Sequence, residues 1–251
     1  MNEQSLTSRT AVVYGAGGMI GAGVARAFAR EGATVHLAGR TRAPLDALAQ
    51  EIGAAGGTAH VAVLDATDEA QVDAHARSVG RIDVSLNLIT RGDVQGIPLA
   101  DMSVADVLAP TLTGLTSEFL TARAAARSMK EHGGGVILWL KSGSAATGKP
   151  DGYDMGGTPA ADAAAEALLR HLAGELVPHG IRVAGIYTAG VRETLSPEHV
   201  AAVEQIIVPR SALGRLPTLA EVAETAVFLA SDRASGITGS HVNVTAGLLP
   251  E

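Results

Sequence analysis

Short apolar runs alternate with longer amphipathic stretches along the chain, and that rhythm predicts its elements. Residues 11–14, Ala-Val-Val-Tyr, read as a buried strand. A glycine-rich turn over 15–21, a helical stretch to about Arg30 punctuated by Gly32, and a second strand over 34–38 follow. Residues 44–55 place Leu45, Leu48 and Ile52 on one helical face. Residues 58–64 predict a third strand, and Asp65-Ala66-Thr67-Asp68 ends it and caps the next helix. Residues 82–89 are continuous enough for a strand buried on both faces, and a loop over 90–98 follows it. A helix over 103–130 is expected to break or kink at Pro110, before a turn at 132–135 and a fifth strand over 136–140. The polar, Gly-rich stretch 142–157 has the length and composition of a binding loop. Thr158-Pro159 opens a helix to about Val177, with Thr as cap and Pro at the first helical position. A strand over 181–187, a helix over 218–230 and a strand over 241–245 complete the series. Strands alternating with helices predict an α/β fold with a doubly wound parallel sheet (Rossmann fold), in one domain without repeat or linker.

Composition narrows the picture. With 251 residues, 47% hydrophobic, 18% charged and only 3% aromatic, the chain suits small-residue helices packed on a sheet. A formal net charge of −7 gives no basic footprint, so neither nucleic acid nor an anionic membrane is an expected partner. There is no cysteine for a disulfide, thiol nucleophile or thiolate metal site. His36, His60, His75, His132, His171, His179, His199 and His241 lack ligand-like spacing, so no metal is expected. No G-x-S-x-G elbow suggests a nucleophilic triad. The polar N-terminus has no secretory core and no run is long enough to span a membrane, which makes a cytoplasmic protein the expectation.

The glycine turn carries the first chemistry. Strand, glycine turn, helix and strand within about thirty residues make a dinucleotide-binding unit. Glycines let backbone approach a pyrophosphate, and the helix start aims N–H groups and a positive dipole end at it. Gly15, Gly17, Gly18, Met19, Ile20 and Gly21 are therefore the expected phosphate cradle. Cofactor choice turns on the end of the second strand, where a carboxylate would select NAD through the ribose 2′-hydroxyl. This chain has Arg40, Thr41 and Arg42 there, and a guanidinium forks onto a 2′-phosphate, so NADP(H) is expected.

Beyond this unit the chain resembles the short-chain dehydrogenase/reductase (SDR) family over nearly its whole length. Gly15 and Gly21 match the family's T-G-x-x-x-G-x-G, with Tyr14 in place of Thr and Met19 in place of the middle Gly. LAGELVPHGIRV (172–183), Thr188-Ala189-Gly190, LGRLPTLAEVAETAVFLASD and GITGSHVNVTAG also follow family segments. The resemblance implies that Asp65, with Ala66, contacts the adenine. It places Asn87 and Ile89 in the stretch matching N-N-A-G, and Gly190 and Thr194 beside the nicotinamide. It also implies a small-molecule substrate, a homodimer or homotetramer through the long Ala/Leu helices, and a mobile lid over 188–211 hinged at Gly190.

The same resemblance exposes a gap. The family passes a proton from a Tyr, whose pKa is lowered by a Lys four residues on, with a Ser and an Asn completing the set. Here those positions fall on Thr158 for Tyr, Asp162 for Lys and Thr111 for Asn, and only Ser142 remains. No Y-x-x-x-K occurs in the chain. Three readings follow. Hydride transfer persists on a substrate needing no proton from Tyr, an iminium or a conjugated C=C, with Asp162 favouring positive charge. Alternatively the chain is a non-redox cyclase or lyase, or an inactive NADP(H)-binding protein. Candidate catalytic residues are Ser142, Asp162, Tyr153 as a replacement acid, and Arg127 as a partner for Asp162 across the helix interface. Lys141 is expected to point away, into solvent.

Overall fold

The computed structural model describes residues 4–142 and 154–248. One seven-stranded sheet, wholly parallel, runs in the order β3-β2-β1-β4-β5-β6-β7. Its strands are β1 (Thr10–Tyr14), β2 (Thr34–Gly39), β3 (Thr58–Val63), β4 (Val84–Asn87), β5 (Gly135–Lys141), β6 (Ile181–Thr188) and β7 (His241–Val244). Among the described residues the longer helices are α1 (Met19–Arg30), α2 (Arg42–Ala54), α3 (Glu69–Val79), α4 (Val104–His132), α5 (Thr158–Leu176), α6 (Pro197–Ile207) and α7 (Leu219–Ala230).

Both faces of the sheet are covered, which is why its strands are apolar without alternation. Val24 and Phe28 of α1, Leu45 and Ile52 of α2 and Leu229 of α7 pack on one face. Val72 of α3, Leu120 and Met129 of α4 and Leu169 of α5 pack on the other with Trp139. Buried alanines at 122, 124, 125 and 126 give α4 a smooth inner side. The strand order reverses between β1 and β4, and open sheets of this kind take ligands in the crevice beyond that point.

Local signals explain most boundaries. Asp68 caps α3 by accepting from Gln71 N–H, Ser103 caps α4 through Asp106 N–H, and Thr218 with Glu221 forms a capping box on α7. Four expectations need correction. The fourth strand is shorter than 82–89, because only residues 84–87 sit in ladders on both sides. Pro110 does not break α4: the helix runs through it, and the buried ring lies against the bare backbone of Gly157. Thr158 is the first residue of α5 rather than its cap; Gly157 holds the cap position and the Thr158 hydroxyl donates to Asp93 at 2.7 Å. The segment 188–211 contains α6, which sequence periodicity left unassigned.

Candidate functional site

Beyond the carboxyl ends of β1 and β4 lies a cleft made of two cavities that share Gly15, Gly18, Leu88, Ile89 and Thr90. The first, about 370 Å³, is lined by Arg40, Thr41, Asp65, Ala66 and Thr67 as well as the glycine turn. The second, about 470 Å³, opens on Met19, Ile20, Asn87, Arg91, Lys141, Ser142, Gly190 and Thr194.

The glycine turn is shaped by backbone contact. Gly15 has φ +83°, and a Cβ there would stand 2.5 Å from the Leu88 carbonyl oxygen. A Cβ on Gly21 would collide with the Gly15 carbonyl, so neither position tolerates a side chain. At Gly18 the nearest atom is 3.5 Å away, which leaves the turn open toward the cleft. Gly18 is also the N-cap of α1 and supplies no side chain to its N–H groups, which leaves that helix start available to an anion. Met19 is more than half exposed at the mouth. The cradle fits a pyrophosphate.

At the end of the cleft where adenine is expected, a side-chain turn shapes the lining. Asp65 accepts from Thr67 N–H at 2.9 Å and from its hydroxyl at 2.7 Å. These bonds, aided by the Arg40 charge, hold its carboxyl below the usual range. Arg40 and Thr41 line the cavity, but Arg42 begins α2 and pairs with Asp46 at 3.6 Å instead. Thr111 lines neither cavity; α4 contributes Thr113 to the first and Glu118 to the second. Asn87 lines the second cavity while bracing the fold: it accepts from Ile89 N–H at 3.0 Å and donates to Thr121 at 3.2 Å.

At the inner end, sequence reading paired Asp162 with Arg127, and the structure places a different ion network there. Asp162 is fully buried; Arg91 donates to it at 2.6 Å and the Ser142 hydroxyl donates to its other oxygen. Arg91 also meets Asp93 at 3.4 Å, and its stem passes over Gly114, where a Cβ would stand 2.9 Å from its Cδ. Lys141 is 2% exposed, not solvated as expected; its ammonium pairs with buried Glu118 on α4 and lies 5.7 Å from the Trp139 ring centroid. Burial, reinforced by the charge of Arg91, pushes the Lys141 amine down to about 7 against the pull of Asp162 and Asp93.

Arg127 is a correction. It does not reach Asp162: it is mostly exposed on α4 and bonds to Asp73 at 3.1 Å, because it projects toward α3. The Thr158 hydroxyl, where the resemblance puts the family's Tyr, donates to Asp93 and receives Gln95 Nε2 at 3.3 Å, so its proton is engaged. Tyr153 lies outside the described residues. Arg91, Asp93, Glu118 and Lys141 were missed as site residues, since no spacing links a loop, a helix and a strand end. The bare Gly114, which admits the Arg91 stem, is the one local hint.

Residues 15–249 match the family model described as Enoyl-(Acyl carrier protein) reductase. The L-rhamnose 1-dehydrogenase (NAD(P)(+)) of Azotobacter vinelandii is 34% identical over 97% of each chain. The chain is a member of the short-chain dehydrogenase/reductase family. A short-chain type dehydrogenase/reductase from Mycobacterium marinum superposes on this SDR with TM-score 0.89 and 31% identity, covering 100% of this chain and 99% of its own. A gluconate 5-dehydrogenase from Burkholderia cenocepacia J2315, in complex with NADP and tartrate, does so with TM-score 0.88 and 27% identity, covering 98% and 97%. This SDR is thereby an oxidoreductase of that type. Among the described residues no helix is long and apolar enough to cross a membrane.

Proposed function

We propose that this SDR is an NADP(H)-dependent oxidoreductase that reduces a carbon–nitrogen double bond in a small molecule. The observation that carries this reading is the charge of the inner cleft. Among the described residues, Asp93, Glu118 and Asp162 surround two cations, Arg91 and Lys141, and burial weakens the second. Arg91 compensates Asp162, so the anionic character belongs to the network and not to Asp162 alone, as the sequence suggested.

An enclosure with excess negative charge lowers the energy of an iminium carbon before attack and of the pyridinium ring left behind. It raises the energy of an alkoxide or enolate, which disfavours a simple ketone. The cofactor supplies hydride when bound; the glycine turn and α1 hold its pyrophosphate, Arg40 its 2′-phosphate, and Thr194 and Gly190 flank the ring. Ser142 holds Asp162, and Asp162 orients Arg91 toward the acceptor. A homodimer or homotetramer through α4 and α5 agrees with the exposed Val104, Leu108, Leu112 and Phe119 of α4.

Conjugated C=C reduction is the second reading, favoured by the description of the matching family model. Stopped-flow loss of NADPH against cyclic imines, enones and ketones tests both. Faster turnover of imines supports the proposal, and faster turnover of ketones rejects it.

A further inference from the structure

We propose that Lys141 is the proton donor of this cleft, passing a proton to the nitrogen of a neutral imine as hydride reaches the carbon. This rests on the C=N reading and names the protonation state of its substrate. The step balances: the C=N π bond breaks, a C–H bond forms with the cofactor's hydride and an N–H bond with the lysine proton. The cofactor is oxidised, the imine becomes an amine, and Lys141 is left as a neutral amine that solvent reprotonates.

Among the described residues of the second cavity, Lys141 is the one lysine, and the hydroxyls of Thr90 and Thr188 there are far weaker acids than an ammonium. Arg91 does not release a proton in a protein, and it is held by Asp162 and Asp93. The Ser142 hydroxyl donates to Asp162, and the Thr194 hydroxyl donates to the Val191 carbonyl at 2.7 Å. Asp93 and Glu118 are carboxylates that already serve cations. Lys141 ends β5 at the floor of the cavity, on the face it shares with Trp139. Glu118 fixes the amine from below and keeps a second oxygen buried with no hydrogen-bond partner.

The titratable and charged groups around Lys141 come from every packed element. They are Arg91 and Asp93 after β4, Glu118 on α4, Asp162 and Glu166 on α5, Tyr187 beside it in register on β6, and His241 on β7. A buried amine near neutrality is matched to acid–base work at physiological pH. Turnover of a neutral imine should therefore fall as pH rises through about 7, where the donor loses its proton.

The test compares a cyclic secondary imine with its N-methyl iminium salt, which needs no proton. In Lys141→Met, the ratio of imine to iminium turnover should fall about 100-fold, and the alkaline decline for the imine should vanish. Removing Lys141 strands Glu118, so the double variant Lys141→Met/Glu118→Gln is measured beside it and should show the same ratio. An unchanged ratio, or equal losses on both substrates, overturns the assignment of Lys141 and leaves C=N reduction standing. If the wild-type protein binds NADPH and reduces neither compound, C=N reduction itself fails and this inference with it.

Discussion

The two cavities of one cleft are built by different means. The proposed nucleotide end is made of backbone: Gly15 and Gly21 are bare because main chain already fills the space a Cβ would take, and the start of α1 has no side-chain cap. The inner end is made of side chains drawn from the loop after β4, from α4, from β5 and from α5, linked by ion pairs. A site made by backbone tolerates few residues and keeps a recognisable spacing. A site made by charged side chains drawn from several elements is held by charge compensation and leaves no fixed spacing in the sequence.

The sharpest way to break that contrast is to remove one member of the ion network. Arg91→Met takes the Arg91 guanidinium away from buried Asp162 and should destabilise the protein by about 3–5 kcal/mol in denaturant unfolding. Arg91→Met combined with Asp162→Leu should recover most of the loss, and no recovery would mean that the pair is not the unit of stability. At the nucleotide end, Arg40→Glu should weaken NADPH binding by about 1.5–3 kcal/mol while sparing NADH, read by isothermal titration. Equal preference before and after the change would reject the role of Arg40. Gly21→Ala should cost about 1–3 kcal/mol in unfolding because backbone has nowhere to move.

How far the sequence carried the reading follows from the same contrast. The sheet, the helices beside it and the glycine cradle were legible because apolar runs, caps and turn glycines act within a few residues. The Thr218 capping box and the Asp68 cap are such local devices. Pro110 misled because a helix survives one lost hydrogen bond when the ring packs, here against Gly157. Lys141 misled because a lysine next to a polar loop is ordinarily solvated, and its partner Glu118 is on another element 23 residues away in sequence. Arg91 lies in a loop rich in Gly, Asp and Pro and gave no signal of its own, its one trace being the bare Gly114 under its stem.

The smallest expected effect lies under the nucleotide end. His36 packs against His60 at 5.0 Å and His75 at 5.8 Å between ring centroids. Burial, with neighbouring imidazoles, lowers the His36 pKa to about 4, and burial lowers His75. The unfolded chain therefore binds protons that the folded chain refuses. The stability contribution is complete above about 6.5 and is lost as pH falls toward 4. For the half-exposed His36 ring this amounts to about 1 kcal/mol after allowance for solvent screening. His36→Gln should flatten that part of the thermal-stability profile, and an unchanged profile would assign the acid sensitivity elsewhere.

The central claim is that an anionic ion network, in the place where the family holds a tyrosine and a lysine, turns hydride transfer toward carbon–nitrogen double bonds. Single-turnover stopped-flow with NADPH, comparing a cyclic imine with the ketone of the same ring, measures this directly. The expected result is NADPH loss with the imine at least tenfold faster than with the ketone, diminished by Asp162→Asn. Faster loss with the ketone, or bound NADPH that no acceptor oxidises, would contradict it.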